Sequence, residues 1–136
     1  MRVVSVNVNG LRSAERKGFF EWLEQSQADV VCVQEIRIQA HQMELAHQPA
    51  GWFHHFFPAQ KAGYAGTAIY SRQQPDAIQQ GLGFELCDNE GRYLAAQFGD
   101  LTIASLYLPS GSSSPEAQAK KDDFLGQFLP LLRQWR

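Results

Sequence analysis

The chain has no surplus of basic charge. It carries 12 Lys and Arg against 14 Asp and Glu, a net charge of -2. That balance excludes a general polyanion binder, which presents a broad basic face. It leaves room for an enzyme that grips nucleic acid through a local groove and a metal ion. Cysteine is also scarce: Cys32 lies in an apolar run and Cys87 in a polar stretch. Two such residues make no disulfide framework and read as reduced thiols of a cytosolic protein. No basic leader precedes an apolar core at the N-terminus, and no apolar run approaches the roughly 20 residues of a membrane span. The expectation is a soluble, cytoplasmic protein with no membrane partner. No internal repeat is visible, and low complexity is confined to the serines at 112–114.

What is present is a core for one domain: 136 residues, of which 44% are hydrophobic. Arg2 to Asn7 reads as a valine-rich strand covered on both faces. Residues 13–27 switch to helical spacing, with Phe19, Trp22, Leu23 and Ser26 on one side. Asp29 to Glu35 returns to a buried strand, so the start is a βαβ unit with parallel strands. A short helix is expected over 41–47, then strands over 52–58, 66–72, 92–98 and 101–108, with a tight hairpin at Phe98-Gly99-Asp100-Leu101. Ser114 caps a last helix with Pro115 at its first position. Phe124, Phe128, Leu132 and Trp135 mark its apolar stripe, and Pro130 is expected to kink it. The chain stops on that helix, where βαβ logic would place another strand. It therefore reads as the N-terminal portion of a single, interrupted domain spanning 1–136.

Asn7 and Glu35 each close a strand of the βαβ unit. Ligands of open α/β sheets bind beyond the carboxyl ends of parallel strands, so the two side chains should converge. An amide carbonyl and a carboxylate are hard oxygens. They suit magnesium, which takes one or two carboxylates with waters and substrate phosphate, better than zinc, which wants His or Cys. The same two residues also read as a turn residue and a surface strand cap, and spacing alone leaves both readings open. The histidines add no ligand set: His41 and His47 share no helical face, and His54 and His55 alternate across a strand.

Five segments in order carry a family resemblance. They are Ser5-Val6-Asn7-Val8-Asn9-Gly10-Leu11-Arg12, Val33-Gln34-Glu35, Gly63 through Arg72, Glu90-Gly91-Arg92, and Leu106-Tyr107-Leu108-Pro109-Ser110-Gly111. The series resembles the exonuclease III family of apurinic/apyrimidinic endonucleases, particularly its bacterial members. The resemblance implies a four-layered α/β sandwich of the endonuclease/exonuclease/phosphatase type, with this chain supplying mainly one mixed sheet and its flanking helices. It implies a magnesium-dependent phosphodiesterase, with manganese as an alternative ion. The substrate would be double-stranded DNA, incised 5′ to abasic sites or trimmed and unblocked at 3′ ends. Asn7 and Glu35 match the family's metal site, and Tyr107 matches its active-site tyrosine. Gly63, Tyr64 and Gly66 match a loop that approaches the DNA backbone, and Asn9, Arg37 and Ser110 fall at DNA-facing positions.

Some residues depart from the pattern. Asn9 stands where relatives have an aspartate, Arg37 where they have lysine, and Ser110 where they carry a longer amide. Arg92 reads as a DNA contact or as a residue that pins its loop, with the second favoured. The family's Gly-Asp-x-Asn and Ser-Asp-His segments, which bear its proton-transfer and phosphate-contacting groups, do not occur. The chain alone is therefore expected to bind metal weakly and not to turn over. An apolar sheet face should lie uncovered, inviting dimerisation or aggregation. Two other readings stand beside the nuclease: a nonenzymatic nucleic-acid-binding regulator, and a phosphodiesterase of lipid or inositol phosphates. The Leu-Tyr-Leu-Pro-Ser-Gly and Gly-Tyr-Ala-Gly contexts favour DNA.

Overall fold

A computed structural model describes residues 1–136. β1 (Val3–Asn7) and β2 (Val30–Gln34) pair in parallel, from Val3 opposite Val30 to Asn7 opposite Gln34. This is the expected βαβ unit. Its crossover is two helices rather than one: α1 (Leu11–Arg16) and α2 (Phe19–Gln25). The break falls at Gly18, whose φ of 92° ends one helix and starts the next, a conformation glycine adopts without a Cβ penalty. Leu11, Ala14, Phe19 and Leu23 turn inward, whereas Trp22 is exposed.

β2 then pairs antiparallel with β4 (Thr67–Ser71), and β4 with β3 (Phe53–Phe57), giving a mixed sheet ordered β1-β2-β4-β3. The helix expected over 41–47 is replaced by two single 3-10 turns, Ala40–Gln42 and Leu45–His47, because Met43 between them is extended. A second, antiparallel sheet accompanies the mixed one: β5 (Ala77–Gln80), β6 (Tyr93–Phe98) and β7 (Leu101–Leu106), in that order. β6 and β7 form the expected hairpin, turning at Gly99 with φ 62°. β5 and the one-turn α3 (Glu85–Asp88) carry too few buried residues to show a period in the sequence.

The final helix, α4 (Pro115–Gln134), begins as expected: the Ser114 hydroxyl accepts the Ala117 N–H at 3.0 Å. It runs on through Pro130.

Alternation along the strands divides the apolar residues into layers. Val30, Cys32 and Ile69 face Leu94, Ala96, Phe98 and Ile103, forming the core between the two sheets. Their neighbours Val31, Val33, Ala68 and Tyr70 point the other way, onto Leu11, Phe19 and Leu23 of α1 and α2. Tyr93 and Ala95 on the outer face of the second sheet receive Phe124 and Phe128 of α4. Helix, sheet, sheet, helix gives four layers.

Two sequence expectations fail at one end of this sandwich. β1 is not covered on both faces: Val3, Ser5 and Asn7 are exposed, and Val4 and Val6 only half-buried. It forms an outer edge of the mixed sheet, and no β1 residue joins the inter-sheet core. Leu132 and Trp135 likewise stay exposed although α4 places them on its apolar stripe. Two open grooves result. One, of about 430 Å³, is lined by Val4, Val6, Val8, Phe19 and Trp22. The other, of about 600 Å³, is lined by Tyr93, Ala104, Leu106, Phe128, Leu132 and Trp135.

Candidate active site

The loops leaving β1 and β2 are stitched together by main-chain hydrogen bonds. Val8 and Gly10 donate to Gln34 and Glu35 at 3.1 and 2.8 Å, and Leu11 donates to Ile36 at 2.8 Å. On the other side, Ile36 and Arg37 donate to Gly66 and Ala65, the lead-in to β4. The chain's four non-glycine residues with positive φ all lie here: Asn9 (48°), Glu35 (61°), Arg37 (52°) and Ala65 (47°). Each such residue costs on the order of 1–3 kcal/mol and persists only where its surroundings dictate it. Below them, buried Gln34 donates to the hydroxyls of Ser5 and Ser105 at 3.1 Å each, and Ser105 donates to the Val33 carbonyl at 2.9 Å. This polar bridge ties β7 to the ends of β1 and β2, and so sets where Tyr107 emerges.

Glu35 is the centre of the site. Its side chain is only 12% exposed. Oε1 accepts the Tyr107 hydroxyl at 2.7 Å and the Asn7 amide at 3.5 Å. The Nη2 of Arg37 lies 2.9 Å from Oε2, but off the hydrogen-bonding direction, so this buried oxygen receives no hydrogen bond. Burial, then the hydrogen bond to Glu35 and its charge, push the Tyr107 phenol up to about 12, against a smaller opposing pull from Arg92. Tyr107 is thus a neutral donor at any ordinary pH.

Behind Tyr107 lies a compact ion network. Arg92, almost wholly buried, spends its donors on three partners: Nε on Glu90 Oε1 at 2.9 Å, Nη1 on the Tyr107 carbonyl at 3.0 Å, and Nη2 on the Tyr64 hydroxyl at 2.9 Å. Its guanidinium also faces the Tyr107 ring, 4.9 Å from the centroid. Lys120, reaching in from α4, donates to Glu90 Oε2 at 2.6 Å and to the Tyr64 hydroxyl at 2.9 Å. Burial alone would raise Glu90, but the hydrogen bonds and charges of Lys120 and Arg92 hold it below its ordinary value. Burial alone would lower Lys120, and Glu90 with Tyr64 raises it instead. Gly91 makes the network possible, because a Cβ there would collide with the Phe57 carbonyl at the end of β3.

The other side of Glu35 is open. Asn9, Gly10, Arg12, Ser13, Arg16, Arg37 and Gly63 line a cleft of about 390 Å³ that has no hydrophobic wall. Three arginines in one cleft give a local basic surface on a chain of net charge -2.

The structure brings Asn7, Asn9, Glu35, Arg37 and Tyr107 together. Asn7 turns its amide nitrogen toward Glu35, while its carbonyl oxygen accepts the Asn9 N–H at 2.9 Å. Gly63 lies on the cleft and Tyr64 in the ion network, whereas Ser110 is exposed and pairs with Ser112. Arg92 is pinned inside, as its sequence context indicates. Sequence reasoning missed Glu90 and Lys120 as members of the site, and Arg12 and Arg16 as its basic wall. The Glu90-Gly91-Arg92 spacing was a signal for the first; the 30 residues separating Glu90 from Lys120 hid the second. Cys32 and Cys87 are free and buried, with thiols pushed up to about 11 and 12, first of all by burial.

No group of three or more His, Cys, Asp or Glu stands together, so a closed zinc-type site does not fit. A buried carboxylate oxygen with no hydrogen bond, paired only with the half-exposed Arg37 guanidinium, does fit a hard cation that completes its shell with water and phosphate. Glu35 would hold it, with the Asn7 amide beside it.

The chain belongs to the endonuclease/exonuclease/phosphatase family, whose profile matches residues 4–134. It is 39% identical over 111 residues to an exodeoxyribonuclease of Bacillus subtilis (strain 168), covering 81% of this chain and 43% of that protein. It is 34% identical over 113 residues to a DNA-(apurinic or apyrimidinic site) endonuclease of Dictyostelium discoideum, covering 83% of this chain and 31% of that one. A 3′-5′ exonuclease from Neisseria meningitidis has the same fold, with a TM-score of 0.83 at 23% identity over 98% of this chain and 52% of that one. The chain thus spans about half or less of the length of these proteins.

Proposed function

We propose that this chain forms the metal-holding part of a magnesium-dependent DNA-repair phosphodiesterase. The whole protein would incise DNA 5′ to abasic sites and remove nucleotides or blocking groups from 3′ ends, in the cytoplasm. One observation carries the reading: Glu35, shielded at a strand end, gives one oxygen to the Tyr107 hydroxyl and keeps the other buried, free of hydrogen bonds and balanced by the Arg37 guanidinium 2.9 Å away. When bound, magnesium or manganese would offset the negative charge that develops on a phosphodiester under attack. The chain's own residues supply the rest. Tyr107 stays protonated and donates a hydrogen bond without adding charge. Arg12, Arg16 and Arg37 line a track for the DNA backbone, with Gly63 and Asn9 offering close approach.

Proton transfer is assigned to no residue of this chain. In a protein carrying this chain together with the remainder of such a domain, magnesium-dependent nicking of a duplex with one abasic analogue is expected. Glu35→Ala should reduce the rate by about 10²-fold or more. A complete protein that binds the duplex and never nicks it would establish the nonenzymatic regulator instead. For this chain alone, purified free of other nucleases, no nicking is expected.

A further inference from the structure

Helix α4 lies against the outer face of the second sheet, yet one of its side chains enters the site. Lys120 crosses to Glu90 and the Tyr64 hydroxyl, and Arg92 carries the connection on to both the backbone and the ring of Tyr107. A buried guanidinium with three directed partners admits little freedom. Moving Lys120 would leave Glu90 to Arg92 alone and free the Tyr64 hydroxyl from one of its two cations. We propose that Lys120 is a positioning residue, acting through Glu90 and Arg92 to fix the ring of Tyr107 against Glu35 and the Tyr64 loop beside it.

The inference rests on the proposed role of Tyr107 only for its meaning in catalysis, since the coupling itself is a property of this chain. Lys120 touches neither Glu35 nor Tyr107 through any hydrogen bond of its own, so it is not a catalytic residue. It is about one-third exposed and sits on a helix surface, so its replacement should leave the fold intact. The competing view is that Lys120 merely fastens α4 to the loop that follows α3 and stabilises the domain without ordering the tyrosines.

The test is spectroscopic and needs no turnover. The chain has four tyrosines, of which Tyr70 and Tyr93 lie outside the network and serve as internal controls. With ring-labelled tyrosine, Lys120→Met should shift the Tyr64 and Tyr107 resonances and leave Tyr70 and Tyr93 in place. The Tyr107 amide, which donates to the Arg92 carbonyl at 2.9 Å, should exchange about tenfold faster. Lys120→Arg, which keeps the charge, should restore both signals. Arg92→Lys should disturb Tyr107 more than Lys120→Met does; the Lys120 pair decides the outcome, since it leaves the buried guanidinium in place. A shift confined to Tyr64, or one spread equally over all four tyrosines, would overturn the proposal. So would a loss in Lys120→Met that Lys120→Arg fails to recover. Failure of the nuclease reading would leave these shifts in place, whereas failure of the positioning reading would remove them.

Discussion

The two sides of Glu35 are built on opposite plans. Toward Tyr107 the charged groups are paired with one another, and one buried arginine holds four groups. Toward Arg37 the wall is polar, open and basic, and the Arg37 side chain is 48% exposed. The closed side has spent its hydrogen bonds before any substrate arrives, so it can fix positions but has nothing left to bind with. The open side has donors to give. The proposed function, which asks the site to hold its own tyrosine and accept an anionic chain, would need this division.

Breaking the closed side should produce the largest effect. Arg92→Met leaves Glu90 and two tyrosines without a buried donor, and should cost about 3 kcal/mol in urea unfolding, because Lys120 still partly compensates Glu90. A loss well under 1 kcal/mol would show that the network is slack. Next is Gln34→Leu, which removes the donor shared by the Ser5 and Ser105 hydroxyls; Ser105 keeps its bond to the Val33 carbonyl and Ser5 meets water, so a loss of about 1 kcal/mol is expected by the same measurement.

Acid should act on the closed side as well. Glu90 is held below its ordinary value of 4.5, so its stabilisation is present above that pH and is lost as pH falls through the lower folded value. Lys120 is held above 10.5, so its share is present below that pH and is lost as pH rises through the higher folded value. Between the two, this pair should contribute no slope to a plot of melting temperature against pH. Glu90→Gln should flatten the acid limb, and an unchanged acid limb would place the sensitivity elsewhere.

The open side should barely register in stability. Arg12→Ala and Arg16→Ala are expected within about 0.5 kcal/mol of the parent. Their effect belongs to DNA: each phosphate contact removed should lower the salt dependence of duplex binding by about one unit of slope. Unaltered slopes would remove the cleft from the account.

The unevenness of the site also explains what the sequence could reveal. Asn7 and Glu35 were legible because strand ends follow from local valine runs, and the family motifs placed Tyr107 and Tyr64 beside them. The βαβ start, the hairpin at Gly99 and the Ser114 cap were legible for the same reason: each is encoded by neighbours in the chain. Lys120 was not, since a lysine on a helix looks like any solvated charge until the fold folds it back onto Glu90. The exposure of β1 and of Trp135 escaped too. Their apolar residues are those of a covered strand and a covered helix face, and what covers them depends on neighbours rather than on period. The second sheet was read only as a run of antiparallel strands, since register alone does not say which sheet a hairpin joins.

The central claim is that Glu35, with one oxygen tied to Tyr107 and the other buried beside the Arg37 guanidinium without a hydrogen bond, is the seat of a divalent cation. A magnesium titration of this chain followed by NMR tests it directly, comparing the parent with Glu35→Gln. The account predicts weak, saturable shifts at Glu35, Asn7 and the Tyr107 ring that vanish in the variant while the fold is kept. Absence of those shifts in the parent, or their survival in Glu35→Gln, would contradict it.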